Sequence, residues 1–390
     1  MKKIAFVICV LSLHCWAVPL RWAQGQTKLN VIYPAISGVS NALWVAAEAN
    51  TFAKYGLEVT LLYIPSAPQV VRVMLAGDSP ISFTGGAPVV NANLGGADLV
   101  FIGGVANMPA FYLMATSDIK SIEDLKGKTV GVTRFGSSTD FTMRYVLQKH
   151  GLQPDKDVTL LQIGGMPELA AAISKRLILA APFSSPTNLR AKKAGAHVLI
   201  DMAKAGVAFP HQNIATTRSY LRANRDVVVN FLKGYSEGIE KAIKDKAFTK
   251  KVIRKYTRDD DEEILDTTYQ YGLDYIARPP YPTREGIVET LKQTAHPKAK
   301  TANPDDFVDM SLVKGLEDSG FFKQIGLWGD WGSDFYFWTF LFNRSISRRS
   351  ASSSAIRAAS RPISIPTVAA SRPKYLATSP SAYPCRRTST

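Results

Sequence analysis

Arg134 heads Phe135-Gly136-Ser137-Ser138-Thr139, a loop that runs into a helical pattern. A guanidinium beside a helix N-terminus can hold a carboxylate, sulfonate or phosphonate in bidentate fashion, so this residue points to an anionic ligand. An ordinary surface arginine in an exposed loop is the alternative. Ser137 or Ser138 should cap the helix and leave its neighbour's hydroxyl free. Thr84-Gly85-Gly86 sets a hydroxyl beside two glycines, which accept positive φ and expose backbone N–H donors. Gly164-Gly165 is a further candidate loop, and the small residues between Ala35 and Asn41 let a ligand approach the backbone, with Ser37, Gly38 and Asn41 as candidates. Phe135 and Trp44 can stack a planar ligand, although Trp44 lies on the apolar face of its helix and suits a core.

Other chemistries find less support. Gly127-Lys128-Thr129 is similar to the end of a phosphate-binding loop, but Ile122 stands where its first glycine is required, and a strand follows instead of a helix. No Gly-x-Ser-x-Gly elbow occurs, and His150, His197, His211 and His296 have no metal-ligand spacing. His211 can line a cleft, with a structural role as the plainer reading. Asp259-Asp260-Asp261-Glu262-Glu263 lacks the alternate spacing of a calcium loop and suits the positive end of the helix that follows. No catalytic residue, metal or cofactor is expected.

These loops need elements to hold them. Leu29 to Tyr33 reads as a strand, Ser40 to Tyr55 as a helix, Leu57 to Ile64 as a second strand, and the alternation continues through Ile81–Thr84 and Leu99–Gly103. Phe111–Ala115 leads into a second series with strands at 128–133, 158–163 and 177–183 and helices between them. Such alternation builds mostly parallel sheets covered by helices. In open sheets ligands bind beyond the carboxyl ends of strands, and the candidate loops after residues 33, 84, 133 and 163 all fall there. After Arg218 the pattern turns to long amphipathic helices, with Val227, Val228, Phe231, Leu232, Tyr235 and Ile239 as one stripe, which must pack on an existing lobe.

The ends differ from the middle. Met1-Lys2-Lys3, an apolar run to Leu20 and the small pair Ala23 and Gly25 have the order of a secretory signal, so residues 1–25 are expected to be a removed leader and the protein to be periplasmic. An uncleaved anchor and a lipidated Cys15 are alternatives. The cysteines are Cys9, Cys15 and Cys385, which leaves the core between them with neither a disulfide nor a thiolate. Of the net charge of +15, residues 1–25 carry +3 and residues 331–390 carry +8, so 26–330 are only mildly basic, without the footprint of a nucleic-acid binder. The Ser-, Arg- and Pro-rich 331–390 stretch reads as a disordered or out-of-frame tail, with a membrane or anionic-partner tail as alternative.

From about Lys28 to Asp330 the chain resembles the periplasmic binding proteins of the nitrate, sulfonate and taurine (NitT/TauT) type. The marks are Leu43-Trp44-Val45-Ala46-Ala47-Glu48, Phe52-Ala53-Lys54-Tyr55-Gly56-Leu57, Phe83-Thr84-Gly85-Gly86, Ser121-Ile122-Glu123-Asp124-Leu125-Lys126-Gly127 and Phe135-Gly136-Ser137-Ser138-Thr139-Asp140. The resemblance implies a type II α/β fold of two Rossmann-like lobes joined by two crossover strands. It also implies a monomer that binds a small organic solute and an ABC permease in the inner membrane as its partner. The expected division is lobe 1 at 27–115 and 218–330, and lobe 2 at 116–217, with hinges near Met114–Ser117 and Asn213–Arg218. The pattern departs at Arg176–Ala181, where Leu179 replaces a usual acidic residue, which bears on the loop Ser184–Pro186 and its candidate Ser185. Two rivals remain: an enzyme on this fold related to a thiamine-pyrimidine precursor synthase, and a ligand-sensing partner of a membrane receptor. The enzyme's chemistry, as the resemblance implies it, needs a cysteine-rich iron site that the core lacks.

Overall fold

In the computed structural model the described residues are 25–327. The expected leader and the tail at 331–390 lie outside them, apart from Gly25. Two five-stranded sheets organise the chain. The first runs β2-β1-β3-β10-β4, from β1 (Thr27–Tyr33), β2 (Leu57–Tyr63), β3 (Ile81–Thr84), β4 (Leu99–Ala106) and β10 (Gln212–Thr217). The second runs β7-β6-β8-β5-β9, from β5 (Tyr112–Ala115), β6 (Thr129–Val132), β7 (Thr159–Gln162), β8 (Ala180–Phe183) and β9 (His197–Asp201).

Both orders follow one plan, with parallel strands and a single antiparallel strand in the fourth place: β10 in the first sheet, β5 in the second. Each intruding strand follows a crossing from the other half. This corrects the expected boundaries. Tyr112–Ala115, expected to close the first lobe, belongs to the second sheet, and Gln212–Thr217, expected in the second lobe, belongs to the first. A strand joins whichever sheet offers it an unpaired edge, and nothing local in its own residues names that sheet. The crossings are therefore the segments between β4 and β5 and between β9 and β10. Of the expected hinge segments, Met114–Ala115 and Asn213–Thr217 are held in ladders on both sides.

Each sheet has its own core. In the first, β1 changes from alternating to continuous burial as it enters the sheet. The helix Arg225–Lys244 lays Val228, Phe231, Leu232, Tyr235 and Ile239 against Phe52, Phe83 and the sheet, with Val227 at the margin, as its stripe predicts. Phe231 stacks on Phe52 at 4.9 Å, a pair that contributes beyond area burial alone. The second core gathers Leu113, Met114, Val130, Leu147, Leu169 and Phe183.

β4 lies at a sheet margin yet is buried along its whole length, because later chain covers its edge. Ala277 N donates to Val105 O, Gly104 N to Pro280 O, and Asp309 N to Phe101 O. The carbonyl of Tyr281 passes where a Cβ on Gly104 would stand, at 2.0 Å, so the residue there must be glycine. Among the described residues no helix is long and apolar enough to cross a membrane.

Candidate functional site

The carboxyl ends of both sheets face one cavity. Four helices begin at it: Ala67–Leu75, Gly86–Leu94, Ser138–Lys149 and Met166–Ser174. Their N-cap residues, Ser66, Gly85, Ser137 and Gly165, all line the cavity. Each helix N-terminus carries roughly half a positive charge, which Asp140 and Glu168 in the first turns of the two helices from the second half offset in part. No charged side chain is part of the lining, and the one titratable group there, His211, is held neutral because burial lowers its pKa to about 3.

Hydroxyls supply most of the remaining polarity. Thr133, Ser137 and Thr139 form a triangle with oxygens 2.8 to 3.0 Å apart, tied down by Thr133 N donating to Thr139 Oγ1. Ser66 Oγ, Ser184 Oγ and His211 Nδ1 also belong to lining residues, but are buried without any hydrogen-bond partner. An unpaired buried polar atom costs roughly 1 to 3 kcal/mol, a cost that a polar solute in the cavity would remove.

The two halves already touch around this space. Gly38 N donates to Ser185 O at 2.9 Å, and Ser185 Oγ lies 3.1 Å from Thr268 Oγ1 on the helix Glu262–Tyr275. Ser138 Oγ donates to His211 O at 3.3 Å, so it is not the free hydroxyl expected beside the cap. Ser137 is that cap, accepting from Asp140 N.

Of the candidates, Ser37, Gly85, Ser137, Ser138, Thr139 and Gly165 line the cavity. Behind them, Asn41 Nδ2 donates to Thr268 O and Gly86 N to Pro210 O, Thr84 is fully buried, and Gly136 and Gly164 turn the chain with φ of 76° and 132°. Arg134 is half-buried and outside the lining. With the Gln69 amide oxygen turned toward it, Arg134 donates from Nε at 3.1 Å and Nη2 at 2.7 Å, bridging the two halves. Phe135 is 51% exposed with Arg144 over its ring, and Trp44 is core, stacked on Tyr256. Neither stands where a solute could stack.

Ser66, Ser184, Phe111 and Gln212 join the lining without having been candidates. Ser66 was within reach of the same rule, since it follows β2 and precedes Ala67-Pro68, a helix start. Phe111 ends the first crossing and Gln212 opens β10 just past the second, so the place of both depends on the two-sheet exchange. Among the described residues no group of three His, Cys, Asp or Glu is placed to hold a metal.

Residues 39–247 match the family model described as NMT1/THI5 like. The chain is 25% identical over 212 residues to YtlA, a candidate binding protein of Bacillus subtilis, covering 53% of this chain and 64% of YtlA, less than two thirds of that relative. The alkanesulfonate-binding protein SsuA from Xanthomonas axonopodis pv. citri, bound to MOPS, superposes with a TM-score of 0.59 at 20% identity over 69% of this chain and 92% of that one. The nitrate-binding protein NrtA from Synechocystis PCC 6803 gives 0.61 at 13% identity over 75% and 89%. The fold is therefore the α/β fold of periplasmic binding proteins.

Proposed function

The chain belongs to the NMT1/THI5-like family, and from that premise we propose that it captures a small organic anion between its two halves outside the cytoplasm and delivers it to an ABC-type permease. The observation that carries this reading is the convergence of four helix N-caps on one cavity whose Ser66, Ser184 and His211 polar atoms lack partners. Helix N-termini favour negative charge, and the related proteins named for their ligands take sulfonates and nitrate. The lining holds one titratable side chain, kept neutral, which favours binding over conversion.

The solute would meet one half first and draw the other over it, shifting the population toward a closed form that a permease can recognise. The segments that flex are the two crossings. Native mass spectrometry of the protein from an exporting host, followed by calorimetric titration with methanesulfonate, nitrate, acetate and neutral acetamide, tests the reading. Anion binding with the solute returned unchanged is expected. Preference for acetamide over all three anions, or chemical conversion of a copurified solute, overturns it.

A further inference from the structure

We propose that His211 Nδ1 is a direct contact to the bound solute and so helps decide which solutes the cavity accepts. The inference rests on the cavity being the solute site. His211 ends the second crossing, immediately before β10, and its side chain has little freedom to look elsewhere for a partner. Its backbone N donates to Ala106 O at 3.1 Å and to Phe209 O at 2.8 Å, and its carbonyl accepts from Ser138 Oγ. The ring packs edge-on against Phe111 of the first crossing, with centroids 4.4 Å apart. The residue is thus pinned by both crossings and by the start of a helix in the second half.

Held in this way the ring is only 8% exposed and lines the cavity, while Nδ1 finds no hydrogen bond. A buried nitrogen with no partner within the protein costs free energy unless a bound molecule supplies one. A ring that served only to fill space beside Phe111 would do better as phenylalanine. The nitrogen makes sense once it carries the ring proton and donates it to an oxygen of the anionic solute.

That reasoning yields effects of opposite sign. His211→Phe keeps the ring packed on Phe111 and removes the unpaired nitrogen. The solute-free protein should therefore melt higher, by about 2 °C, while the strongest binder among methanesulfonate, nitrate and acetate should bind at least tenfold more weakly, as expected for a lost buried hydrogen bond. His211→Asn, whose amide can reach toward the position of Nδ1, should recover part of the affinity.

The experiment is calorimetric titration and thermal melting of wild type and both variants with these three anions. A phenylalanine variant that binds like wild type overturns the inference alone and leaves the cavity as the solute site. One that melts lower with equal affinity does the same and makes His211 structural. Wild type that binds none of the three anions overturns both the functional reading and this inference.

Discussion

Arg190 and Asp259 join the two halves at the rim of the cleft: Nη2 of Arg190 lies 2.9 Å from Asp259 Oδ2, and Nε lies 3.2 Å from the same oxygen. Nη2 also donates to Thr257 O at 3.1 Å, and Lys193, one turn along the helix Thr187–Lys193 that carries Arg190, pairs with Asp261. Asp261 meanwhile caps the helix Glu262–Tyr275 through Glu263 N and Ile264 N. The acidic run does open its helix, as its composition predicts, and it also grips the opposite half.

Breaking that grip should favour the open form. Exposed ion pairs contribute about 0.2 to 1 kcal/mol, and Asp259 is only 13% exposed, so Arg190→Ala should weaken solute binding by about threefold to fivefold. Wild-type affinity should fall as NaCl rises, and the variant should lose that part of the salt dependence. Small-angle scattering of both in the absence of solute should show a larger radius of gyration for the variant; equal radii and equal salt slopes would count against the latch.

Arg134 bridges to Gln69 rather than lining the cavity, so Arg134→Ala should weaken anion binding by only about threefold, short of the loss a direct charged contact produces. Gln69→Ala should cost the same, and the double variant no more than either alone. Titration calorimetry on the three variants decides, and a loss above thirtyfold for Arg134→Ala alone would return the guanidinium to the solute.

A Cβ on Gly86 would stand 2.0 Å from Cγ of Pro210, on the second crossing, and a proline ring cannot swing aside. Gly86→Ala should push that crossing outward and destabilise the protein by about 1 to 3 kcal/mol, the usual cost of overpacking. Urea denaturation measures it. An unchanged midpoint would mean the crossing yields freely.

Burial holds the His211 pKa at about 3, against 6.5 for an ordinary histidine. Between those values the unfolded chain binds a proton that the folded chain refuses. Stability from this source is therefore complete above pH 6.5 and is lost as pH falls toward 3, at about 1.4 kcal/mol per pH unit. His211→Phe should narrow the gap between urea midpoints at pH 7.5 and 4.5. A gap as wide as wild type would show the ring to be hydrated.

Strands and helices were legible because period and length report burial directly: Leu29–Tyr33 and the stripe from Val228 to Ile239 read plainly. Part of the cavity lining was legible too, since a glycine or hydroxyl just past a strand marks a carboxyl-end loop whatever the partner sheet. What could not be read was placement that depends on distant chain. β5 and β10 look like any strands, and only the sheets show that they are exchanged. Arg134 carries the right group, but Gln69, on another half, decides where it points. His211 is a lone histidine in sequence, and its missing partner is visible only in three dimensions.

The seat of β10 between β3 and β4 also fixes an order of assembly. As the chain is made from its N-terminus, the first sheet lacks an inner strand until Gln212–Thr217 emerges, and the facing edges of β3 and β4 stay bare. The second sheet needs only the continuous stretch from Tyr112 to Asp201, and its strands are all present before β10 exists. The half that begins later can close earlier, and a nascent chain stalled short of Gln212 would carry one finished sheet beside one open to any passing strand.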